Sequence, residues 1–331
     1  MLTSEPHIGS LVRQMLIVPH HGQGQVYGAF PFVLGEKLPQ IEHLSLDLRR
    51  DYYPYVHPDF FQLLSGFSTV TSLDVHRIQF PSLNDFGLLI CAFPRLTNLS
   101  CWMVSWTKKT YDAGTFKALD RRLSLRSLSL RDVRGMGEMV EWLLTVTSSL
   151  QLDTISLPTV SVRDVGPVGR LLDVVGASLR HLEIGIILRA SPQLQTKAVT
   201  EWEGSVGTYP RLIRNTSLTS LQIDLQGTDS DKWASWASGL LLQTAPSCVS
   251  RITILIQIPS RPTKLKQSHC GSIDGVLSLP QFCNLRQVVF QYEDGTDAER
   301  LEWFRGALPT LFPLTCARNL VRLKQGGLLI V

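Results

Sequence analysis

Asp47, Asp74 and His76 are the residues whose types invite acid–base or metal chemistry. Two carboxylates and an imidazole on neighbouring strands could lie about 5 Å apart, near enough to share a proton or a cation. The surrounding pattern is missing. No third ligand stands at a recognised spacing, and no Gly-rich strand-to-helix turn or nucleophile elbow lies nearby. The three therefore read as solvated side chains. His20-His21, followed by Gly22 and Gly24, is a junction loop, and adjacent histidines are geometrically poor metal ligands. His269-Cys270 offers two ligands and no partner pair. Trp102 and Trp106, followed by Lys108 and Lys109, mix aromatic and basic character in one loop, the chemistry that stacks on RNA. A formal net charge of +4 provides no wider basic stripe, so a rim contact or packing is expected there and no nucleic-acid partner. Arg261, Lys264 and Lys266 form a second small basic loop, expected to be a solvated insert. No catalytic residue, metal or cofactor is expected, and the chain is not expected to be an enzyme.

A repeat must position whatever these residues do. Val12-Met15-Ile17, Ile41-Leu44-Leu46, Val70-Leu73-Val75, Leu96-Leu99-Cys101, Leu125-Leu128-Leu130, Leu152-Ile155-Leu157 and Leu179-Leu182-Ile184 share one spacing, apolar at relative positions 0, 3 and 5. Their starts at 12, 41, 70, 96, 125, 152 and 179 lie 29, 29, 26, 29, 27 and 27 residues apart. A near-constant period of that size is the signature of stacked strand-and-helix units. Positions 3 and 5 alternate with polar neighbours, which is strand periodicity. Between them, Pro58–Leu64, Leu83–Phe93, Met136–Leu144 and Arg163–Val175 carry apolar residues at three- and four-residue spacings, predicting helices. Asp231 and Asp297 are expected N-caps of two later helices.

After residue 190 the triads Leu218-Leu221-Ile223, Val249-Ile252-Ile254 and Leu285-Val288-Phe290 persist, with starts 39, 31 and 36 residues apart. The excess predicts loop inserts near 195–214 and 259–282 in one domain spanning 1–331, most regular in 12–190. The closing Gly326–Val331 reads as a last short strand.

In parallel strands, positions 2, 4 and 6 share one face. They are His43, Ser45, Asp47; Ser72, Asp74, His76; Asn98, Ser100, Trp102; Ser127, Ser129, Arg131; Thr154, Ser156; and His181, Glu183. A small, polar face with a few charges and one large aromatic suits recognition of a protein surface, with Trp and Arg as energetic anchors. Asp47, Asp74, His76, Trp102, Arg131, His181 and Glu183 are the partner-binding candidates.

Of 331 residues, 44% are hydrophobic and 18% charged, ample for a continuous core and against disorder. Six cysteines show no CxxC-type spacing, so neither a zinc site nor a disulfide framework is implied. No signal peptide and no apolar stretch of about 20 residues is present, so no membrane partner and a cytoplasmic or nuclear location are expected. The sequons at Asn98 and Asn215 then carry little weight.

With Leu125-Arg-Ser-Leu128-Ser-Leu130-Arg-Asp-Val133 in view, the chain resembles the leucine-rich-repeat superfamily from about residue 12 to 292. The resemblance implies an α/β leucine-rich-repeat solenoid, an arc or horseshoe of about ten irregular repeats. Its parallel strands would line the concave face and its helices the convex face. One departure stands out. Where the family places Asn or Cys at position 8, this chain has Ile78, Val104, Val133 and Val160, so its turns must satisfy their backbone groups otherwise.

Leu38-Pro-Gln-Ile-Glu-His-Leu, Phe93-Pro-Arg-Leu-Thr-Asn-Leu and the Gly-Gly-Leu-Leu ending are similar to the repeat regions of fungal F-box-like proteins. That resemblance implies the substrate-receptor arm of a cullin-type ubiquitin ligase, reached through a Skp-type adaptor. No Leu-Pro-x-Glu helix start precedes the first repeat, and Met1–Ser10 is shorter than the three-helix F-box, so that module is not expected in this chain. The alternative within the superfamily is a direct regulator of an enzyme, ribonuclease-inhibitor-like or GTPase-activating-like. That would call for a densely charged concave face, and only isolated charges such as Arg131 are present.

Overall fold

A computed structural model describes residues 6–18, 30–35, 37–47, 60–108, 111–112, 123–147, 150–187, 209–225, 230–246, 248–256, 267–292, 298–325 and 328–330. His20, His21, Lys109, Arg261, Lys264, Lys266, Asp297 and most of the stretch 195–214 lie outside the described residues. Two compact units divide the chain, Met1–Leu152 and Asp153–Val331.

In the first unit the strands are β1 (Gln14–Ile17), β2 (His43–Asp47), β3 (Ser72–His76), β4 (Gln79–Ser82), β5 (Asn98–Trp102), β6 (Ser105–Lys108) and β7 (Ser127–Arg131). β1, β2, β3, β5 and β7 pair in parallel, with Gln14, His43, Ser72, Asn98 and Ser127 in one row. Every apolar triad is thereby stacked in phase. Leu44, Leu46, Leu73, Val75, Leu99, Cys101, Leu128 and Leu130 are all at most 1% exposed. Each such side chain is worth roughly 1.5–3 kcal/mol on burial. One strand could not offset the ordering entropy of its own repeat, but a stack can.

The odd spacing, three residues and then two, has a backbone cause. At each junction the carbonyl of position 1 accepts two N–H groups from the next repeat, those of positions 1 and 2. Glu42 O takes Thr71 N at 2.9 Å and Ser72 N at 3.0 Å, and Thr71 O takes Thr97 N and Asn98 N, both at 2.9 Å. Two donor residues facing one acceptor is the geometry of a bulge. The extra residue returns position 3 to the inner side that position 0 already occupies.

Past the strand, Arg77, Met103 and Asp132, each at position 7, adopt left-handed backbone with φ of 56°, 56° and 53°. The turn drives position 8 inward, where Ile78 and Val104 are at most 1% exposed and Val133 is 7% exposed. Backbone of the next repeat satisfies it: Arg77 N–H donates to Trp102 O at 2.8 Å, and Met103 N–H to Arg131 O at 2.9 Å. Ser105 N–H then donates to Ile78 O at 3.0 Å, as β4 and β6 pair into a second, two-stranded parallel sheet. This ladder takes the place of asparagine side chains. It also corrects the expected loop at Trp106, which lies on β6, is 7% exposed and packs on Phe86 with centroids 5.9 Å apart. Phe86 in turn meets Phe80 and Trp142 at 5.2 and 6.2 Å.

The second unit repeats the plan with β8 (Thr154–Ser161), β9 (His181–Ile187), β10 (Ser220–Asp224), β11 (Arg251–Leu255), β12 (Gln287–Tyr292) and β13 (Val321–Gln325) in parallel. β14 (Leu328–Ile330) closes antiparallel on β13. The expected last strand is therefore present. β13 went unforeseen, because Val321 and Leu323 lack the apolar position 0 that marks the other strands: Arg318 stands there. Both units are thus parallel sheets covered by helices, an α/β repeat architecture.

The spacing-predicted helices form at Phe60–Leu64, Leu83–Cys91, Met136–Val146 and Val165–Val175. Ser82 caps the second of these, its hydroxyl oxygen accepting Asp85 N–H at 3.2 Å. Later helices span Ser230–Leu242, Gln267–Leu277 and Ala298–Leu311. Asp231 is the second residue of its helix. Asn215 is fully buried and donates its amide to Leu172 O and Gly176 O, both at 2.9 Å, tying off the end of Val165–Val175. A glycan on Asn215 would not fit this packing. Among the described residues, no helix is long and apolar enough to cross a membrane.

Two substitutions test this register. Leu128→Asp places an unpaired charge in the stack and is expected to cost more than about 4 kcal/mol in denaturant unfolding, whereas Arg131→Ala, on an exposed side chain of the same strand, leaves the transition in place. Gly135, with φ of 92°, would bring a new Cβ within 2.9 Å of the Trp106 ring. Gly135→Ala is expected to lose about 1–3 kcal/mol in the same experiment.

Candidate functional site

Of the first unit's open-face candidates, four fall in a single row. Asp47, His76, Trp102 and Arg131 occupy position 6 of β2, β3, β5 and β7, each the register partner of the next. Neighbouring strands place their Cα atoms about 5 Å apart. Asp74 sits one pleat back, between Ser45 and Ser100.

Arg77 organises the row. Its left-handed backbone turns the side chain back across the strand ends, where the guanidinium grips both Asp47 carboxylate oxygens, Nε at 2.9 Å from Oδ1 and Nη2 on Oδ2. The same guanidinium stands 5.7 Å from the Trp102 ring centroid, a cation–π stack. Its hydrogen bond to Asp47 holds the Arg77 pKa above the ordinary arginine value. His76 meets Trp102 edge-on, with centroids 5.9 Å apart. Trp102 is therefore held between a cation and an imidazole, yet stays 37% exposed. Arg77 was missed in the sequence because position 7 belongs to neither the inward nor the outward set. No glycine or asparagine there advertises the turn.

Acid–base chemistry finds little support in the arrangement. Both Asp47 oxygens are taken up by Arg77. Asp74 Oδ2 lies 2.9 Å from His43 Nε2, an orienting pair without a nucleophile, since no described residue hydrogen-bonds the other ring nitrogen. Among the described residues, no group of three or more His, Cys, Asp or Glu side chains could hold a metal ion. Cys270 is buried in the helix Gln267–Leu277, and desolvation pushes its thiol up to about 12, away from the thiolate a metal needs.

In the second unit, His181 at position 2 of β9 is exposed, and Glu183 at position 4 is half-buried. Glu183 ties three strands together: Oε2 accepts the Ser156 hydroxyl at 2.5 Å, and Oε1 accepts the Gln222 amide at 2.6 Å. Of these two candidates, His181 is the side chain open to a partner.

No family model matches the chain, and no curated protein matches it. Among solved structures, the chain is similar to one in the crystal structure of the Rad7 and Elc1 complex in yeast, at 13% identity. The likeness covers 80% of this chain and 73% of that one, with a TM-score of 0.30. A likeness of that degree carries no argument about fold or function.

Arg77→Ala is expected to free the Trp102 indole. The Trp102 component of the emission, isolated as the difference from Trp102→Phe, should become more accessible to acrylamide. Unchanged quenching of that component would show that the guanidinium does not cover the ring.

Proposed function

We propose that the chain is a leucine-rich-repeat recognition module, not an enzyme, that holds a protein partner against the open sheet face of its first unit. The row Asp47–His76–Trp102–Arg131, with Arg77 fixing the indole, carries this reading. A large aromatic held in place but partly exposed offers contact area at little further cost in side-chain entropy. Beside it Arg131 is exposed, and no described residue pairs with its guanidinium. The two together suit an apolar or aromatic side chain followed by a carboxylate, a short protein epitope rather than a small molecule. Small hydroxyl side chains behind the row, at Ser72, Ser100, Ser127 and Ser129, let a partner backbone approach.

The assembly that such a module would serve is the substrate-receptor arm of a cullin-type ubiquitin ligase, joined through a Skp-type adaptor. This part of the proposal rests on the sequence resemblance to F-box-like repeat regions alone.

Affinity capture with the full chain from a native extract, followed by mass spectrometry, tests both parts. One partner should be depleted roughly tenfold or more in the Trp102→Ala and Arg131→Ala captures, with both variants melting as the wild type does. Equal capture by wild type and variants would remove the open face as the binding site. Co-capture of a Skp-type adaptor and a cullin supports the ligase assignment, and a stable partner without them refutes it while leaving the recognition role intact.

A further inference from the structure

The described edge of the second unit through which the chain enters its strands carries a series of exposed apolar side chains. Ile213, Leu242, Leu279 and Leu314 stand there at 63%, 51%, 37% and 48% exposure. Single exposed apolar residues are ordinary on a protein surface. Here they come one per repeat, in the four consecutive segments that lead into β10, β11, β12 and β13.

Backbone and side-chain bonds stack these segments on one another. Leu212, beside Ile213, bridges in parallel to Thr244. Gln281 donates its amide to Leu241 O at 3.1 Å, beside Leu242. Leu314 N–H donates to Asp274 Oδ2 at 2.8 Å, on the helix that precedes Leu279. In the first unit the segment leading into β3 exposes Gln62, Ser65, Gly66 and Ser68, while those leading into β1 and β2 expose Leu11 and the pair Phe32 and Val33.

Asp274 is buried and bonded within the fold, and the charge of the segments themselves has one sign. Residues 209–219, 242–251, 278–287 and 313–322 contain six arginines and no aspartate or glutamate: Arg211, Arg214, Arg251, Arg286, Arg318 and Arg322. Arg318 is occupied within the fold, donating to Leu277 O and Phe282 O at 2.9 and 3.0 Å. Arg322 likewise donates to Asn319 O and Val321 O. Arg211, Arg214 and Arg286 are exposed, and no described residue pairs with their guanidinium groups. An apolar ridge flanked by free cations is complementary to an apolar stripe flanked by carboxylates.

We propose that this edge docks an acidic amphipathic helix of a partner protein, at a surface separate from the open-face row. Stacked repeats space their equivalent side chains on the order of 5–10 Å apart, and side chains along one helix face recur at about 5–6 Å. A helix laid along the ridge can thus set apolar residues beside Ile213, Leu242, Leu279 and Leu314 in turn. Its flanking carboxylates then reach Arg211, Arg214 and Arg286, whose forked donors match carboxylates.

The test is fluorescence anisotropy of a labelled synthetic helix with Leu on one face and Glu on the other, titrated with the full chain. A matched peptide with Lys in place of Glu, and phosphatidylserine-containing vesicles, run in parallel. The Glu peptide is expected to bind and the Lys peptide to bind at least tenfold more weakly. Affinity should fall roughly tenfold in Ile213→Ser/Leu242→Ser and in Arg211→Glu/Arg214→Glu, and should not change in Trp102→Ala. Leu279→Ser/Leu314→Ser serves as the second apolar pair should the first fail to fold. Equal binding of both peptides, or unchanged binding by the folded variants, overturns the proposal. Vesicle binding without peptide binding overturns it in favour of an anionic membrane surface.

Discussion

A single backbone interaction underlies the rest of this structure: the position-1 carbonyl that accepts two N–H groups from the repeat above it. It recurs at Arg13, Glu42, Thr71 and Thr97 in the first unit and at Asp153, Arg180, Thr219 and Ser250 in the second. A carbonyl oxygen has two lone pairs, so one oxygen can serve both donors. Because the side-chain period of a strand is two, any slip of one residue would carry every buried leucine to the solvent face. Locking the strand entry at each junction opposes that slip. Hydroxyl groups reinforce the lock where they occur, as Thr97 and Ser250 donate to the same carbonyls at 3.1 Å.

The left-handed turn at position 7 is the second constraint, and it couples fold to site. A non-glycine residue in that region carries strain of order 1–3 kcal/mol, retained only where surroundings impose it. Here the surroundings are a buried position 8 and a backbone ladder that satisfies the turn. At Met103 the turn serves this packing. At Arg77 the same backbone aims a long cation across the row, and Asp47 and Trp102 are placed to receive it. A feature needed for packing in three repeats has become, in one of them, the device that fixes the exposed indole.

Most strands and helices were legible in the sequence because burial writes itself as periodicity, β13 being missed for want of an apolar position 0. The open-face residues were legible by the same rule, since position 6 follows from positions 3 and 5. Three things were not. The second sheet of β4 and β6 hides in segments too short to show a period. Two of the left-handed turns fall on Arg77 and Met103, residue types that announce no turn, and only the third, at Asp132, falls on a turn-favouring residue. The relation between His43 and Asp74, or between Glu183, Ser156 and Gln222, depends on which strands are neighbours, and that information lies in the stacking rather than in any one repeat.

The polar residues of the two open faces show why the same scaffold gives different surfaces in its two units. In the second unit Glu183 spends its charge on Ser156 and Gln222, so the middle of the face is tied together and chemically quiet. In the first, the ion pair of Arg77 and Asp47 also neutralises itself, but its guanidinium stands over the Trp102 ring, 5.7 Å from the centroid, rather than between polar neighbours. Stacking a guanidinium on an indole restricts the ring without covering its outer edge. A partner meeting that edge need not order it, and the desolvation of Arg77 is already in part met by Asp47. The cost of fixing the indole thus falls on folding, where the cooperative stack of repeats bears it.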